Sequence, residues 1–324
     1  MINSCYLGDV RDGLRAMASA GVRARTCVTS PPYWGLRDYG VAGQLGLEPT
    51  VDEYVANMVD VFRLVRDVLA DDGTLWLNLG DCYAAQCGGT HQPAETLAGG
   101  IGGKEIDGGR TNRGRHDGYN PTRNASAIGL KHKDLVGMPW RVAFALQADG
   151  WWLRQDIVWA KPNPMPESIR DRCTKSHEYL FLLSKRERYY FDADAISEPA
   201  INAGKIVKTN GADGYESETH DLRTREGIKR GVLVKDRRNR RSVWTIPTEP
   251  FSEAHFATFP TALVEPCILA GSAVDNVVLD PFLGSGTVAQ VAQALGRSWV
   301  GCELNPEYHA MIARRTRARG LALA

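Results

Sequence analysis

The 324-residue sequence contains little that would support a metal centre, a disulfide framework or a membrane span. Its seven cysteines include no CxxC pair and its seven histidines show no metal-ligand spacing, which predicts that the protein holds no metal. No apolar run approaches the roughly 18 residues of a membrane-spanning helix, and the N-terminus lacks a basic stretch followed by an apolar core. These absences predict a cytoplasmic protein with no membrane partner.

Net charge is also nearly absent, at +1, so the whole chain exerts no general attraction on polyanions. Any contact with nucleic acid must therefore come from local clusters of basic residues. Two clusters occur, and an isolated basic run is more often simply a solvated loop. The candidate DNA-contacting residues are Arg110, Arg113, Arg115, Arg123, Lys235, Arg237, Arg238, Arg240 and Arg241.

Hydrophobic spacing predicts an alternation of strands and helices. The stretch at residues 26–30 predicts a strand that stops at two prolines, and residues 51–69 repeat apolar side chains at helical spacing. A strand is predicted at 74–80, a helix at 138–150 and a further strand at 153–161. This alternation favours an α/β fold.

The clearest pattern, VVLDPFLGSGTVAQVAQALGRSWVGCE, spans residues 277–303 and predicts a βαβ unit. Gly284 and Gly286 allow a ligand to approach the backbone at a helix N-terminus, and Glu303 is spaced to accept hydrogen bonds from a ribose. The pattern departs from GxGxxG, and Asp280 favours a cofactor with an ammonium and a sulfonium over a pyrophosphate. A tight turn for helix packing is the alternative interpretation.

A second signature, TSPPYWGLRDYG, follows the first predicted strand. Pro31 and Pro32 fix φ, hold Ser30 extended and remove two N–H donors, which leaves a rigid rim of acceptors. Ser30 Oγ and the Pro31 carbonyl are placed to accept both hydrogens of an exocyclic amine, and Tyr33 offers a ring on which an extruded base stacks. Taken alone, SPPY is more typical of a proline turn with a packed aromatic residue.

Together, TSPPYW and DPFLGSGT resemble motifs IV and I of the amino-group DNA methyltransferases, in the order of their beta class. LGDV, DDGTLWLNLGD, WLRQDIVWAKPNPMPES, HEYLFLLSKRERYYFD and AHFATFPTALVEP also resemble family segments. The resemblance implies a Rossmann-like S-adenosylmethionine-dependent methyltransferase fold with a mostly parallel sheet. It also implies a circularly permuted motif order and an inserted recognition region.

Composition and the resemblance together predict five segments of the chain. Residues 1–84 form the N-terminal catalytic half, 85–134 a mobile glycine-rich loop, and 135–192 the continuation of the catalytic domain. Residues 193–243 form the target-recognition region and 244–324 the cofactor-binding half. The second basic cluster lies within that recognition region.

The family's cofactor site can be transferred residue by residue to this chain. Glu303 is implied to bind the ribose, Phe259 and Pro260 to line the methionine end, and Asp9 to approach the adenine. A GD dipeptide is equally typical of a surface turn. The glycine-loop positions implied to bind S-adenosylmethionine are Asp280, Pro281, Phe282, Gly284, Ser285, Gly286 and Thr287.

The implied activity is methylation of a flipped-out base in double-stranded DNA. The tetrapeptide of most cytosine-N4 enzymes begins with serine and that of most adenine enzymes with Asp or Asn, so Ser30 favours cytosine N4. Direct in-line transfer needs no covalent intermediate, and the methylated amine is acidic enough to release its proton to water. An adenine-N6 enzyme and a nucleotide-dependent oxidoreductase are the alternatives, and a homodimer and a cognate restriction endonuclease are open as partners.

Overall fold

The computed structural model of the chain describes residues 2–36, 38–84, 129–207, 232–249 and 260–317. Most of the predicted loop at 85–134, with its four arginines, and Phe259 lie outside the described residues. The chain divides into two compact units, Asp192–Arg241 and the combination of Met1–Phe191 with Ser242–Ala324.

The described strands form three sheets, one of eight strands and two of two strands each. Their bounds are β1 (Ser4–Leu7), β2 (Ala24–Thr29), β3 (Leu69–Leu79), β4 (Trp152–Ala160), β5 (His177–Ser184), β6 (Glu198–Pro199), β7 (Ile206–Val207), β8 (Val232–Leu233), β9 (Arg237–Arg238), β10 (Val243–Thr245), β11 (Val277–Asp280) and β12 (Ser298–Glu303).

The larger unit is built on an eight-stranded sheet in the order β1-β12-β11-β2-β3-β5-β4-β10. Every neighbouring pair is parallel except the two that involve β5, which runs antiparallel to both β3 and β4. The mostly parallel sheet confirms the predicted α/β fold.

The helices follow from local sequence signals. Thr50 begins the second helix by accepting a hydrogen bond from the backbone N–H of Glu53 at 3.2 Å, and Tyr54, Met58 and Phe62 are buried along one side. This confirms the helix predicted at 51–69. The helices are α1 (Val10–Ser19), α2 (Val51–Val68), α3 (Met138–Ala148), α4 (Thr261–Gly271), α5 (Thr287–Ala294) and α6 (Pro306–Arg317).

Both faces of the central strands are buried, as expected of a parallel sheet covered by helices. On β3, Leu75 and Leu77 belong to the core cluster that includes residues of α1, α2 and α3. The alternate residue Trp76 is only 1% exposed and points to the opposite face.

Strands β2 and β11 lie side by side at the centre of the sheet. From β11 the chain continues through α5 to β12 on one side, and from β2 it continues through α2 to β3 on the other. In open α/β sheets such a reversal of strand order leaves a crevice at the carboxyl ends of the strands, where ligands bind.

The smaller unit, Asp192–Arg241, has its own small sheets. In it β6 pairs antiparallel with β9, and β7 pairs antiparallel with β8. This unit contains the second basic cluster.

Candidate active site

A buried hydrogen bond joins the ends of β2 and β11. The hydroxyl of Thr29 donates to Asp280 Oδ1 at 2.7 Å, and the backbone N–H of Phe282 donates to the same oxygen at 2.9 Å. The parallel register, with Leu279 opposite Cys27, brings the two strand ends level. Two loops that lie about 250 positions apart in the sequence therefore leave the sheet at adjacent points.

A cavity opens beside these two loops and encloses about 770 Å³, including the part open to solvent. Ser30 and Pro32 line it from the first loop, and Pro281, Phe282 and Gly284 from the second. The other lining residues are Gly8, Asp9, Val10, Tyr39, Val41, Gly43, Gln44, Leu45, Cys302, Glu303, Leu304, Asn305 and Tyr308.

Asp280 is a buried carboxylate at the end of β11. Burial raises the pKa of Asp280 to about 7, despite the hydrogen bonds from Thr29 and Phe282 that favour its ionised form. Its Oδ2 atom is also buried and has no hydrogen-bond partner within the described part of the chain. Because an unpaired buried carboxylate oxygen is costly, a cationic group of a ligand is the partner that this site fits.

The raised pKa of Asp280 predicts a pH-dependent stability of the ligand-free protein. The folded state binds this proton more tightly than the unfolded state, so the stabilisation is present at low pH and is lost as pH rises towards about 7. Relative to Asp280→Asn, the wild type should lose about 1.4 kcal/mol per pH unit between about pH 4 and about pH 7. Urea unfolding of both proteins at several pH values measures this difference, and a difference independent of pH would contradict it.

Glu303 lies at the end of β12 with both carboxylate oxygens oriented by the backbone. Oε2 accepts from the N–H of Gly284 and Oε1 from the N–H of Asn305, both at 2.8 Å. Burial raises the pKa of Glu303, and the side chain lines the cavity. Each carboxylate oxygen has a further lone pair, so Glu303 can accept hydrogen bonds from a pair of ligand hydroxyls.

The second half of the glycine loop is fixed by α6. Gly286 has φ of 85°, and a Cβ there would lie 3.0 Å from Ile312 Cγ1. Arg315 donates to the carbonyl and the hydroxyl of Ser285 at 2.7 and 2.8 Å. This half of the loop therefore serves packing.

Five described residues that were predicted for the cofactor site are not part of the cavity lining: Pro260, Asp280, Ser285, Gly286 and Thr287.

Asp9 lines the cavity at the start of α1. It caps this helix by accepting the backbone N–H of Arg11 at 2.8 Å, and it forms a salt bridge with the same residue at 2.7 Å. The hydrogen bonds from the Arg11 side chain hold the pKa of Asp9 below its usual range. Asp9 is therefore ionised at the cavity wall, and its contact with an adenine stays a prediction.

The SPPY tetrapeptide divides its side chains between the cavity and the core. Ser30 and Pro32 line the cavity, whereas Pro31 is buried outside that lining. The carbonyl of Pro32 accepts a hydrogen bond from the hydroxyl of Tyr54 at 2.8 Å. Tyr33 packs so closely on Gly80 that a Cβ there would lie 2.5 Å from Tyr33 Cε2. Stacking of a base on Tyr33 stays a prediction.

Sequence reasoning missed three polar residues around Tyr33. Its hydroxyl lies 3.0 Å from Asn78 Oδ1 and 2.9 Å from Glu178 Oε2, and Glu178 pairs with Lys161. Burial and the charge of Glu178 raise the pKa of Tyr33, so its phenol is neutral. These residues stand at the ends of β3, β4 and β5, and the sequence gives no local signal that the three strand ends meet.

The predicted DNA-contacting residues of the second cluster lie in the smaller unit: Lys235, Arg237, Arg238, Arg240 and Arg241. Arg237 donates to the hydroxyl of Ser197 at 2.6 Å. Arg238 and Arg241 both donate to Glu198, at 2.9 and 2.7 Å. Part of this positive charge is therefore paired within the unit, and the DNA contact stays a prediction.

None of the helices in the described ranges is long and apolar enough to cross a bilayer. Those ranges also contain no group of three His, Cys, Asp or Glu residues arranged to hold a metal ion.

Known proteins resemble the chain along nearly its whole length. A family model for DNA methylases of the N6/N4 type matches residues 24–314. The type II methyltransferase M.SmaI of Serratia marcescens is 45% identical over 317 residues, which cover 97% of this chain and 91% of that protein. The type II methyltransferase M.Cfr9I of Citrobacter freundii is 45% identical over 309 residues, which cover 94% of this chain and 84% of that protein.

Solved structures share the fold at lower identity. The PvuII DNA methyltransferase, described as cytosine-N4-specific, matches with a TM-score of 0.59 and 19% identity over 96% of this chain and 85% of that one. The protein TTHA0409 of Thermus thermophilus, solved with S-adenosyl-L-methionine, matches with a TM-score of 0.54 and 21% identity over 97% of this chain and 93% of that one. These likenesses confirm the predicted methyltransferase fold. With the family model and the close relatives, they establish that the chain belongs to the N6/N4 DNA methylase family.

Proposed function

We propose that the protein transfers a methyl group from S-adenosylmethionine to an exocyclic amino nitrogen in DNA, at cytosine N4 in preference to adenine N6. The observation that carries this proposal is the hydrogen bond between Thr29 and Asp280, since it holds the SPPY loop and the glycine loop at one cavity. Family membership excludes the oxidoreductase alternative.

S-adenosylmethionine is the cofactor, and when bound it supplies an activated methyl group on a sulfonium. Asp280 offers a buried negative charge and an unpartnered oxygen to a cationic group. Glu303, oriented by two backbone N–H groups, accepts hydrogen bonds from the ribose hydroxyls. Asp9 at the cavity wall is assigned to the adenine. The remaining proposed cofactor contacts are Phe259, Pro260, Pro281, Phe282, Gly284, Ser285, Gly286 and Thr287.

Ser30 Oγ and the Pro31 carbonyl accept the two hydrogens of the target amine. These bonds draw the nitrogen lone pair out of conjugation with the ring and direct it towards the methyl donor. Pro32 and Tyr33 keep the loop rigid through contacts with Tyr54 and Glu178. Catalysis then depends on positioning within the cavity, as direct in-line transfer requires.

Two observations support cytosine N4 as the target. The tetrapeptide begins with Ser30, and one structural neighbour is described as cytosine-N4-specific. A base paired in a duplex cannot reach such a cavity, so the target base must be flipped out, with contacts to phosphates offsetting the cost. The basic residues of the smaller unit are proposed for those contacts. The type II methyltransferase relatives support a restriction-modification setting with a cognate endonuclease.

Expression of the chain in a host without DNA methylation tests the proposal. Nucleoside analysis of the host DNA should detect N4-methylcytosine, and methylation mapping should place it in one sequence context. DNA from cells expressing Ser30→Ala is the control. N6-methyladenine in place of N4-methylcytosine would contradict the base assignment alone, whereas the absence of both would contradict amino methylation.

A further inference from the structure

The hydroxyl of Ser30 is a group at the cavity whose hydrogen-bonding direction is not fixed by its own chemistry. A serine hydroxyl both donates and accepts, unlike a carboxylate or amide oxygen, which only accepts. An exocyclic amine offers its hydrogens, so Ser30 binds it well only when its own proton points elsewhere. The neighbour that receives this proton is Tyr33, whose hydroxyl lies 3.3 Å from Ser30 Oγ.

The hydroxyl of Tyr33 has two other neighbours, and the first is an obligate acceptor. Glu178 Oε2 lies 2.9 Å from it, and the other oxygen of this carboxylate pairs with Lys161. The Lys161 ammonium also lies 4.3 Å from the centre of the Trp159 ring, which holds it in place. The Lys161 and Glu178 side chains are each 17% exposed. Paired with the Lys161 ammonium in this way, the Glu178 carboxylate only accepts hydrogen bonds.

The second neighbour is the side-chain amide of Asn78, and its orientation is also determined. Asn78 Nδ2 lies 3.1 Å from the carbonyl of Tyr179 and 3.3 Å from Glu178 Oε2, both of which only accept. The amide nitrogen must therefore face these two oxygens. Asn78 Oδ1 consequently faces the hydroxyl of Tyr33, at 3.0 Å, as an acceptor.

These constraints fix the direction of the whole chain of hydrogen bonds. The hydroxyl of Tyr33 has one proton, and both Glu178 and Asn78 can only accept it. The oxygen of Tyr33 is then left to accept, so the proton of Ser30 points towards Tyr33. Because no donor from the described residues bonds to Ser30 Oγ, both of its lone pairs can accept a hydrogen from a ligand in the cavity.

We propose that Glu178 and Asn78, acting through the hydroxyl of Tyr33, hold Ser30 as a hydrogen-bond acceptor and so make the base site selective for an amine. The inference rests on the proposed amino methylation and names the positioning residues that set its specificity. A base with a carbonyl in place of the amine would place its carbonyl oxygen, an acceptor, against the acceptor oxygen of Ser30. Such mispairing of polar groups is the strongest basis for rejecting an analogue of equal shape.

A double-mutant cycle tests whether Tyr33 acts through Ser30. The substrate is a duplex that carries the sequence context mapped for the wild type. Tyr33→Phe should lower kcat by about 10-fold to 100-fold in the wild type, as expected for loss of a buried hydrogen bond to a reacting group. In a Ser30→Ala background the same substitution should change kcat by less than about twofold, because the group it orients is gone.

Tyr54→Phe provides the matched control. It also removes one tyrosine hydroxyl bonded to the tetrapeptide, but its partner is the carbonyl of Pro32. Tyr54→Phe should change kcat by the same factor in the wild type and in the Ser30→Ala background. Cofactor affinity should stay within about twofold in all variants, since none of these hydroxyls is assigned to the cofactor.

Glu178→Gln gives a second measurement that keeps every tyrosine. Lys161 only donates, so it should hold the amide oxygen of the glutamine and turn the NH₂ group towards Tyr33. The ratio of dissociation constants for duplexes with the carbonyl base and the amine base should fall by about tenfold in Tyr33→Phe. It should fall by a smaller factor in Glu178→Gln, because Asn78 Oδ1 can still accept the proton of Tyr33. The probe is uracil in place of a cytosine target, or hypoxanthine in place of an adenine target. The ratio should not change in Tyr54→Phe.

The outcomes separate this inference from the function on which it rests. If the wild type methylates no amino group in DNA, the proposed function fails. If it does, but the effects of Tyr33→Phe and Ser30→Ala simply multiply, or the binding ratio is unchanged in both Tyr33→Phe and Glu178→Gln, the network is only structural and this inference alone is overturned.

Discussion

Replacement of Asp280 by asparagine is expected to weaken the binding of S-adenosylmethionine by about 100-fold, since a hydrogen bond to a charged group contributes about 1.5 to 3 kcal/mol. Oδ1 of Asp280 is occupied by Thr29 and Phe282, while Oδ2 is buried and unpartnered within the described ranges. An asparagine keeps the shape but loses the negative charge that a cationic ligand needs. Isothermal titration of the purified variant measures the loss.

A neutral ligand distinguishes loss of charge from damage to the loop. 5′-Methylthioadenosine has the nucleoside but neither the ammonium nor the sulfonium, so its affinity should change by less than about threefold in Asp280→Asn. Asp149→Asn, which removes a carboxylate that follows α3 and is paired with Arg63, is the matched control for the loss of one negative charge. An equal loss of affinity for both ligands in Asp280→Asn would show that the substitution disrupts the loop and would contradict a charge-specific role.

The same carboxylate predicts how cofactor affinity responds to pH. Because burial raises the pKa of Asp280 to about 7, the ligand-free protein is partly protonated there, and a cation binds the ionised form. The affinity of the wild type should fall by up to about tenfold for each pH unit below about pH 7. The asparagine variant lacks this titration, so its affinity should vary less over the same range.

The parts of the site that depend on local sequence could be predicted. The βαβ unit that ends at Glu303 combines a strand, a glycine turn and a helix in one continuous segment, and β11, α5 and β12 follow that pattern. The strand before Pro31 could be predicted because two prolines cannot continue a buried strand. Local pattern also locates Ser30 and Asp280 at strand ends, which in a parallel sheet lie at one edge.

The parts that depend on which strands are neighbours could not be predicted. β5 enters the sheet antiparallel between β3 and β4, and no local signal in His177–Ser184 specifies that place. Its position brings Glu178 to Tyr33, so the polar network around Ser30 follows from the strand order alone. The packing role of Gly286 could not be predicted either, because its contact is with Ile312 on α6, which lies outside the local pattern.

Replacement of Ser30 by alanine is expected to lower kcat by about 100-fold to 1,000-fold, the loss typical of removing one preorganised hydrogen-bonding group from a reacting centre. Ser30 Oγ lines the cavity and its proton points towards Tyr33, so its loss leaves one hydrogen of the target amine without an acceptor. The amine then stays conjugated with the ring and is a weaker nucleophile. Transfer of tritiated methyl under single-turnover conditions measures the chemical step directly.

Thr26→Val is the matched control for this substitution. Thr26 lies on β2 four residues before Ser30, and its hydroxyl bonds to that of Thr74 at 3.0 Å inside the sheet. Both variants remove one hydroxyl from the same strand and loop, but only Ser30 faces the cavity. Thr26→Val should therefore lower stability with little change in kcat, whereas Ser30→Ala should lower kcat with cofactor affinity within about twofold. Similar rate losses in both variants would mean that the Ser30 hydroxyl supports the fold of the loop, since a catalytic role requires that the loss be specific to the hydroxyl at the cavity.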